Sequence, residues 1–253
     1  MYYTLSSPDK GDRILSLILR SVPLYASKSR PSFLETQLGI VTLVVARSPH
    51  TDSRTILANS VAAAAIISQT IEDATSTTDL HDHGDTGSSE GCEVLYGRAG
   101  LLYALLYLRK VHDALDTEQR KTWNHDHLVS DETILRIIDE IIERGQVGAA
   151  QMKTAYPSYE VILNPPLMWT WHGKRYVGGA HGVAGILQML LCCPPHLIAK
   201  HGRILWDLTL WFLDIQDEQG NWPSSIRHSS HPTRERNKLV QWVHSPSLFG
   251  TGI

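Results

Sequence analysis

Twice in this chain a Gly-x-Ala-Gly tetrapeptide runs straight into an apolar segment: Gly97-Arg98-Ala99-Gly100 before LLYALLYL, and Gly182-Val183-Ala184-Gly185 before ILQMLL. The two copies begin 85 residues apart. Glycines at the opening of a helix let neighbouring backbones approach closely and leave the first-turn amides uncovered, so each copy predicts a helix packed tightly at its start. Such a helix, paired with an outer partner, buries its apolar face only by stacking laterally on copies of itself. The pattern predicts an all-α chain of repeated helix pairs, and polar stretches account for the long interval between the two copies.

Other segments extend this reading. Gly11 to Ser21 contains the short apolar run ILSLILR, and FLETQLGIVTLVVA (Phe33 to Ala46) is a second segment whose β-branched residues leave strand open as the alternative. Thr55 to Ile71, with four consecutive alanines, is plainly helical. Val94 to His112 is helical after its glycines and sets Tyr103, Leu106 and Lys110 on a recurring face. Ser130 is a natural N-cap for a helix with Asp131 and Glu132 in its first turn, a stripe of Ile134, Ile137, Ile138 and Ile141, and an expected stop at Gly145. Pro194-Pro195 ends the helix that runs to Cys193, and His201 to Ile215 forms the last apolar segment. Residues 72–92, rich in Asp, Thr, Ser and Gly, predict a flexible loop or insertion. Its His81, Asp82, His83 and Asp85 imitate a metal tract without a framework to fix ligand geometry.

Charge and cysteine usage exclude several functions. With 23 Lys plus Arg against 26 Asp plus Glu and no basic stripe, counterion release gives no drive toward nucleic acid. Cys92, Cys192 and Cys193 form neither a disulfide framework nor a C-x-x-C pair, which predicts a reducing, cytoplasmic compartment; Cys192 and Cys193 read as buried or helix-end thiols. The most apolar windows, LLYALLYL and GILQMLLCC, fall far short of the roughly 20 residues that cross a bilayer, so no membrane span is expected.

Four landmarks in order carry the reading further: LYGRAGLLYALL (Leu95 to Leu106), NPPLMWTWHGKRYVGGAHGVAG (Asn164 to Gly185), GNWPSS (Gly220 to Ser225) and NKLVQWVH (Asn237 to His244). Together they resemble the LanC-like family, eukaryotic lanthionine synthetase C-like proteins related to bacterial lanthionine cyclases, most strongly over residues 92–244. The resemblance implies an α/α toroid, a double α barrel of inner and outer helices that normally has seven repeats, with residues 1–253 forming a single partial domain. It also implies zinc-dependent addition of cysteine or glutathione thiols to dehydroamino acids. His181, in GGAHG, falls on the family's proton-transfer position. Gly97, Gly100, Gly178, Gly179, Gly182 and Gly185 become structural glycines, and Trp171, Lys174, Arg175 and Tyr176 become candidates to line a substrate or glutathione cavity.

The chain departs from the family at the metal. Members hold zinc with two cysteines and a histidine and usually read W-C-H-G, where this sequence has Trp242-Val243-His244-Ser245; valine has no lone pair to donate. The later ligands would lie beyond Ile253. The expectation is therefore a LanC-like chain truncated at its C-terminus, with no confident cofactor and impaired catalysis. The alternative is a noncatalytic glutathione-binding or protein-interaction scaffold, whose open helical edge is covered by a protein partner or by self-association. Glu93 and Asp207 read as helix-end or surface charges, which leaves no carboxylate pair for another toroid enzyme such as a glycosidase.

Overall fold

Helices account for nearly all regular structure in the computed structural model, which describes residues 8–25, 31–76, 91–155, 164–218 and 220–226. In chain order they are α1 (Pro8–Ser21), α2 (Leu38–Arg47), α3 (Arg54–Ala74), α4 (Arg98–Asp113), α5 (Thr117–Trp123), α6 (Asp131–Ala155), α7 (Val183–Leu191), α8 (Pro195–Ile198) and α9 (Gly202–Asp214). Two short strands, β1 (Arg175–Tyr176) and β2 (Ser225–Ile226), pair antiparallel with Arg175 opposite Ile226. None of the helices is long and apolar enough to cross a membrane, among the described residues.

Local chemistry explains most boundaries. Ser53 caps α3 by accepting from the Ile56 amide, and the Ser130 hydroxyl accepts from Thr133 at the start of α6. Ile134, Ile137, Ile138 and Ile141 are fully buried, as their spacing requires. The strand alternative for Phe33 to Ala46 fails: Val41, Val44 and Val45 are buried at helical spacing on α2. Gly145 does not stop α6, which continues for ten more residues to Ala155. A Cβ at Gly145 would stand 2.7 Å from the Trp169 ring, whose Nε1 donates to the Ile141 carbonyl at 2.9 Å. The glycine there is a seat for an indole. On α4, Tyr103 and Lys110 are exposed and Leu106 is half-buried, whereas Leu101, Leu102, Leu105 and Leu108 face the core. The expected loop at residues 72–92 also shrinks: Glu72 to Ala74 close α3, and residues 77–90, with His81, Asp82, His83 and Asp85, lie outside the described residues.

The glycine-opened helices are neighbours. α2 packs against α4 and α4 against α7, while each also packs on a following helix: α2 on α3, α4 on α6 and α7 on α9. Their starting turns are copies. In the turn Glu93–Gly97 the Gly97 amide donates to the Glu93 carbonyl at 3.1 Å, and in Gly178–Gly182 the Gly182 amide donates to Gly178 at 3.1 Å. The two capping glycines share one conformation, φ −125° and ψ −166° at Gly97 against φ −121° and ψ −170° at Gly182.

A third copy precedes α2, where the Thr36 amide donates to the Ser32 carbonyl at 3.4 Å. In all three, a glycine on the helix faces the carbonyl of the turn's second residue. Gly39 faces Phe33, Gly100 faces Val94 and Gly185 faces Gly179, with an added Cβ at 2.7, 2.4 and 1.9 Å from those oxygens. Backbone hydrogen bonds tie the turns side by side, Leu34 donating to Leu95 at 3.5 Å and Val94 to Ala180 at 3.2 Å.

A buried charge network braces this row from below. Arg98 Nε donates to the Ala74 carbonyl at 2.8 Å and its Nη1 to the Gly91 carbonyl at 3.1 Å, so one guanidinium joins the end of α3 to the turn before α4. Glu140 lies 3.8 Å from Arg98 and accepts from Arg144 Nε at 2.5 Å.

Candidate functional site

His181 is the fourth residue of the turn before α7, and Glu93 is the first residue of the turn before α4. Because the two turns are tied sideways, the Glu93 carboxylate reaches across to the imidazole: His181 Nδ1 lies 2.9 Å from Glu93 Oε2. The carboxylate also accepts from the Leu95 amide at 2.9 Å and from the Tyr96 amide. An acceptor already facing backbone N–H groups draws a proton donor from the ring, so Nδ1 carries the hydrogen. Glu93 is only 1% exposed. That burial pushes its carboxyl above the usual carboxylate range, opposed by the hydrogen bonds from His181, Leu95 and Tyr96.

Three rings surround the histidine. Trp171 lies nearly parallel to it, 5.7 Å between centroids and 7° between planes. Tyr96, fourth residue of its own turn, stacks at 5.7 Å, and Tyr176 packs tilted at 6.0 Å. Trp171 is fixed by a tight hairpin, exchanging backbone hydrogen bonds with Lys174 across His172 and Gly173, both at positive φ. Lys174 is exposed on that hairpin, while Arg175 is half-buried in β1. Trp171 and Tyr176 therefore meet His181 directly, and Lys174 and Arg175 are their chain neighbours on the hairpin and β1.

The glycines named from sequence all sit in or against the turns. Gly97 and Gly182 cap α4 and α7; Gly100 and Gly185 permit the close approach described above; Gly178 and Gly179 supply carbonyls to the second turn. Glu93 corrects the reading of it as a helix-end or surface charge, because it is buried and bonded to the candidate proton-transfer residue. The usable signal was its position, four residues before Gly97, matching Gly178 before Gly182. Asp207 is a surface charge, paired with Arg203 at 2.9 Å.

Among the described residues, no group of three His, Cys, Asp or Glu is placed to hold a metal ion. Burial pushes the Cys92 thiol up to about 11, and burial with the neighbouring Cys192 pushes Cys193 up to about 12. Both move away from the thiolate that zinc ligation needs. Cys192 is exposed just beyond α7, and Val243 and His244 lie outside the described residues. The described donors do not suit zinc.

Among the described residues the chain is predominantly helical, with a histidine–carboxylate pair on the starting turns of its glycine-opened helices. Compared with known families, residues 8–244 match the one described as "Lanthionine synthetase C-like protein", and the chain belongs to that family. It is 31% identical over 160 residues to "LanC-like protein GCL1" of Arabidopsis thaliana, covering 60% of this chain and 28% of that protein. It is 29% identical over 161 residues to "Glutathione S-transferase LANCL1" of Danio rerio, covering 62% of this chain and 33% of that protein. The chain thus spans a third or less of the length of these curated relatives.

Proposed function

We propose that this protein binds glutathione or a related thiol at the His181 turn and that the His181–Glu93 pair manages the proton during thiol addition to a dehydroamino acid. The observation that carries the reading is the 2.9 Å contact between His181 Nδ1 and a buried carboxylate, beside the parallel Trp171 ring. The name of the zebrafish relative supports glutathione as the thiol. In the balanced step, the imidazole takes the thiol proton and the sulfur forms a bond to the β-carbon of dehydroalanine. The electron pair of the carbon–carbon double bond moves onto the α-carbon and its carbonyl. The imidazolium, held by Glu93, then returns its proton to the α-carbon.

The fold in this proposal is an arc of an α/α toroid, with α2, α4 and α7 as inner helices, in one domain working in the cytoplasm. Incubation with reduced glutathione and a dehydroalanine peptide, read by mass spectrometry, tests the chemistry. A thioether product that falls at least tenfold in His181→Ala supports it, and equal product from that variant overturns it.

A second reading, a noncatalytic scaffold, is favoured by the exposed stripe Trp206, Leu210 and Leu213 on α9, 61%, 43% and 52% exposed. Protein partners or self-association would cover it. Light scattering of the wild type against Trp206→Glu tests this, with loss of assembly in the variant as the expected result.

A further inference from the structure

The ten residues of α2 carry the chain about 15 Å away from the row of starting turns. At that far end, α1, the last residue of α2 and the connection into α3 enclose a cavity of about 330 Å³, and every residue lining it is polar or charged. Its volume falls in the range of small-molecule sites. The walls are bonded to one another. Arg47 donates to both Asp12 oxygens, at 2.7 Å from Nε and 3.0 Å from Nη2, which ties α1 to the end of α2. Ser16 Oγ lies 2.9 Å from Ser53 Oγ and ties α1 to the start of α3. Arg47 Nη2 also donates to the His50 carbonyl at 3.3 Å, and His50 Nδ1 lies 3.2 Å from Gln119 Nε2 on α5. Elements from four helices thus hold the frame in place without a ligand, which lowers the ordering cost of binding one.

The charges around this frame are not all spent. Arg47 and Asp12 neutralise each other, and the hydrogen bond from Arg47 holds the Asp12 carboxyl below the usual carboxylate range. Arg13 and Asp52 are left. Both line the cavity and both are exposed, yet neither has a hydrogen-bond or ion-pair partner among the described residues, and they do not pair with each other. An unspent guanidinium and an unspent carboxylate, kept apart on one small polar cavity, match a ligand that carries both opposite charges; a simple anion would meet Asp52, and a simple cation would meet Arg13. We propose that this cavity binds a small zwitterion of the α-amino-acid class, its carboxylate at Arg13 and its ammonium at Asp52, with the hydroxyl groups of Ser16, Thr51 and Ser53 favouring a neutral polar side chain. The cavity shares no residue with the His181 site, so this inference stands independently of the thiol reading.

Titration of the ¹⁵N-labelled protein by NMR at low ionic strength, where exposed charges are least screened, tests it with three probes: L-glutamine, L-glutaminamide, which lacks the carboxylate, and N-acetyl-L-glutamine, which lacks the ammonium. In the wild type, L-glutamine shifts the amides of residues 12–16 and 47–53 saturably, and losing either charge weakens binding by about two- to fivefold, the range for one exposed charge contact. In Arg13→Gln, L-glutaminamide binds as well as L-glutamine while N-acetyl-L-glutamine still binds more weakly; in Asp52→Asn the pattern reverses. Both substituted side chains are exposed, and circular dichroism checks that the variants fold. His181→Ala binds L-glutamine as the wild type does. Equal affinity for the three probes, penalties that stay the same in both variants, shifts confined to the His181 turn, or no saturable shift at all would each overturn the proposal.

Discussion

Alanine at Gly39, Gly100 and Gly185 makes the same perturbation three times in one molecule at three different clearances. The added Cβ meets a backbone carbonyl oxygen at 2.7, 2.4 and 1.9 Å, against an ordinary contact that begins at 3.4 Å. The helix must therefore retreat by about 0.7 Å at Gly39, 1.0 Å at Gly100 and 1.5 Å at Gly185, unless the turn gives way. Alanine gains about 0.5–1 kcal/mol of helix preference over glycine at each site, and overpacking a tight contact costs about 1–3 kcal/mol, occasionally more. Gly39→Ala should come out within about 1 kcal/mol of the wild type, Gly100→Ala about 1–2 kcal/mol less stable, and Gly185→Ala about 3 kcal/mol less stable. Gly185 is worst for a second reason: Val94 Cγ2 lies 2.8 Å from the added carbon on the neighbouring turn, so retreat in that direction is blocked. Urea unfolding followed by far-ultraviolet circular dichroism measures the series. A Gly185→Ala protein as stable as Gly39→Ala would refute the equivalence of the turns and the packing argument built on it.

Three other outcomes can be measured independently. Burial raises the Glu93 carboxyl above 4.5, so the folded chain keeps this proton at pH values where the unfolded chain has lost it. That contribution to stability is present at lower pH and fades as pH rises above 4.5, so Glu93→Gln should flatten the decline across that window in urea titrations; a steeper decline contradicts the assignment. Arg98→Met strips the Ala74 carbonyl of its buried side-chain donor, leaves the Gly91 carbonyl only the residue 98 amide, and leaves Glu140 to Arg144 alone, a loss of about 3–5 kcal/mol by thermal or chemical unfolding. Brief treatment with iodoacetamide should label Cys192 alone in the native protein, because Cys92 and Cys193 are buried with their thiols pushed up; mass spectrometry showing early Cys92 labelling would count against the packing around Arg98.

What sequence could show depended on the kind of residue. Periodicity of Ile134, Ile137, Ile138 and Ile141 and the cap at Ser130 located α6 because both act within one helix. Gly145 misled because helix propensity treats glycine as a break, whereas here an indole from 24 residues later in the chain occupies the missing side chain's place. The third turn, Ser32-Phe33-Leu34-Glu35-Thr36, escaped notice because only Gly39 survives of the Gly-x-Ala-Gly pattern; its likeness lies in hydrogen bonds and not in residue types. Glu93 was hidden for a related reason. A charged residue beside a helix start looks solvated until the lateral bond from Val94 to Ala180 brings the next turn over it. His181, flanked by glycines in a long matching stretch, was legible from the start.

The sideways bonding of the turns makes the site a gauge of helix spacing. Glu93 belongs to the turn that starts α4 and His181 to the one that starts α7, and no single segment holds both. If the two turns slid apart by about 1 Å, the 2.9 Å contact would open beyond hydrogen-bond range, and the imidazole would lose the partner that fixes its tautomer. Anything that squeezes or wedges α4 against α7 therefore acts on the proton pair without touching it, so this chemistry is only as constant as the distance between two neighbouring helices.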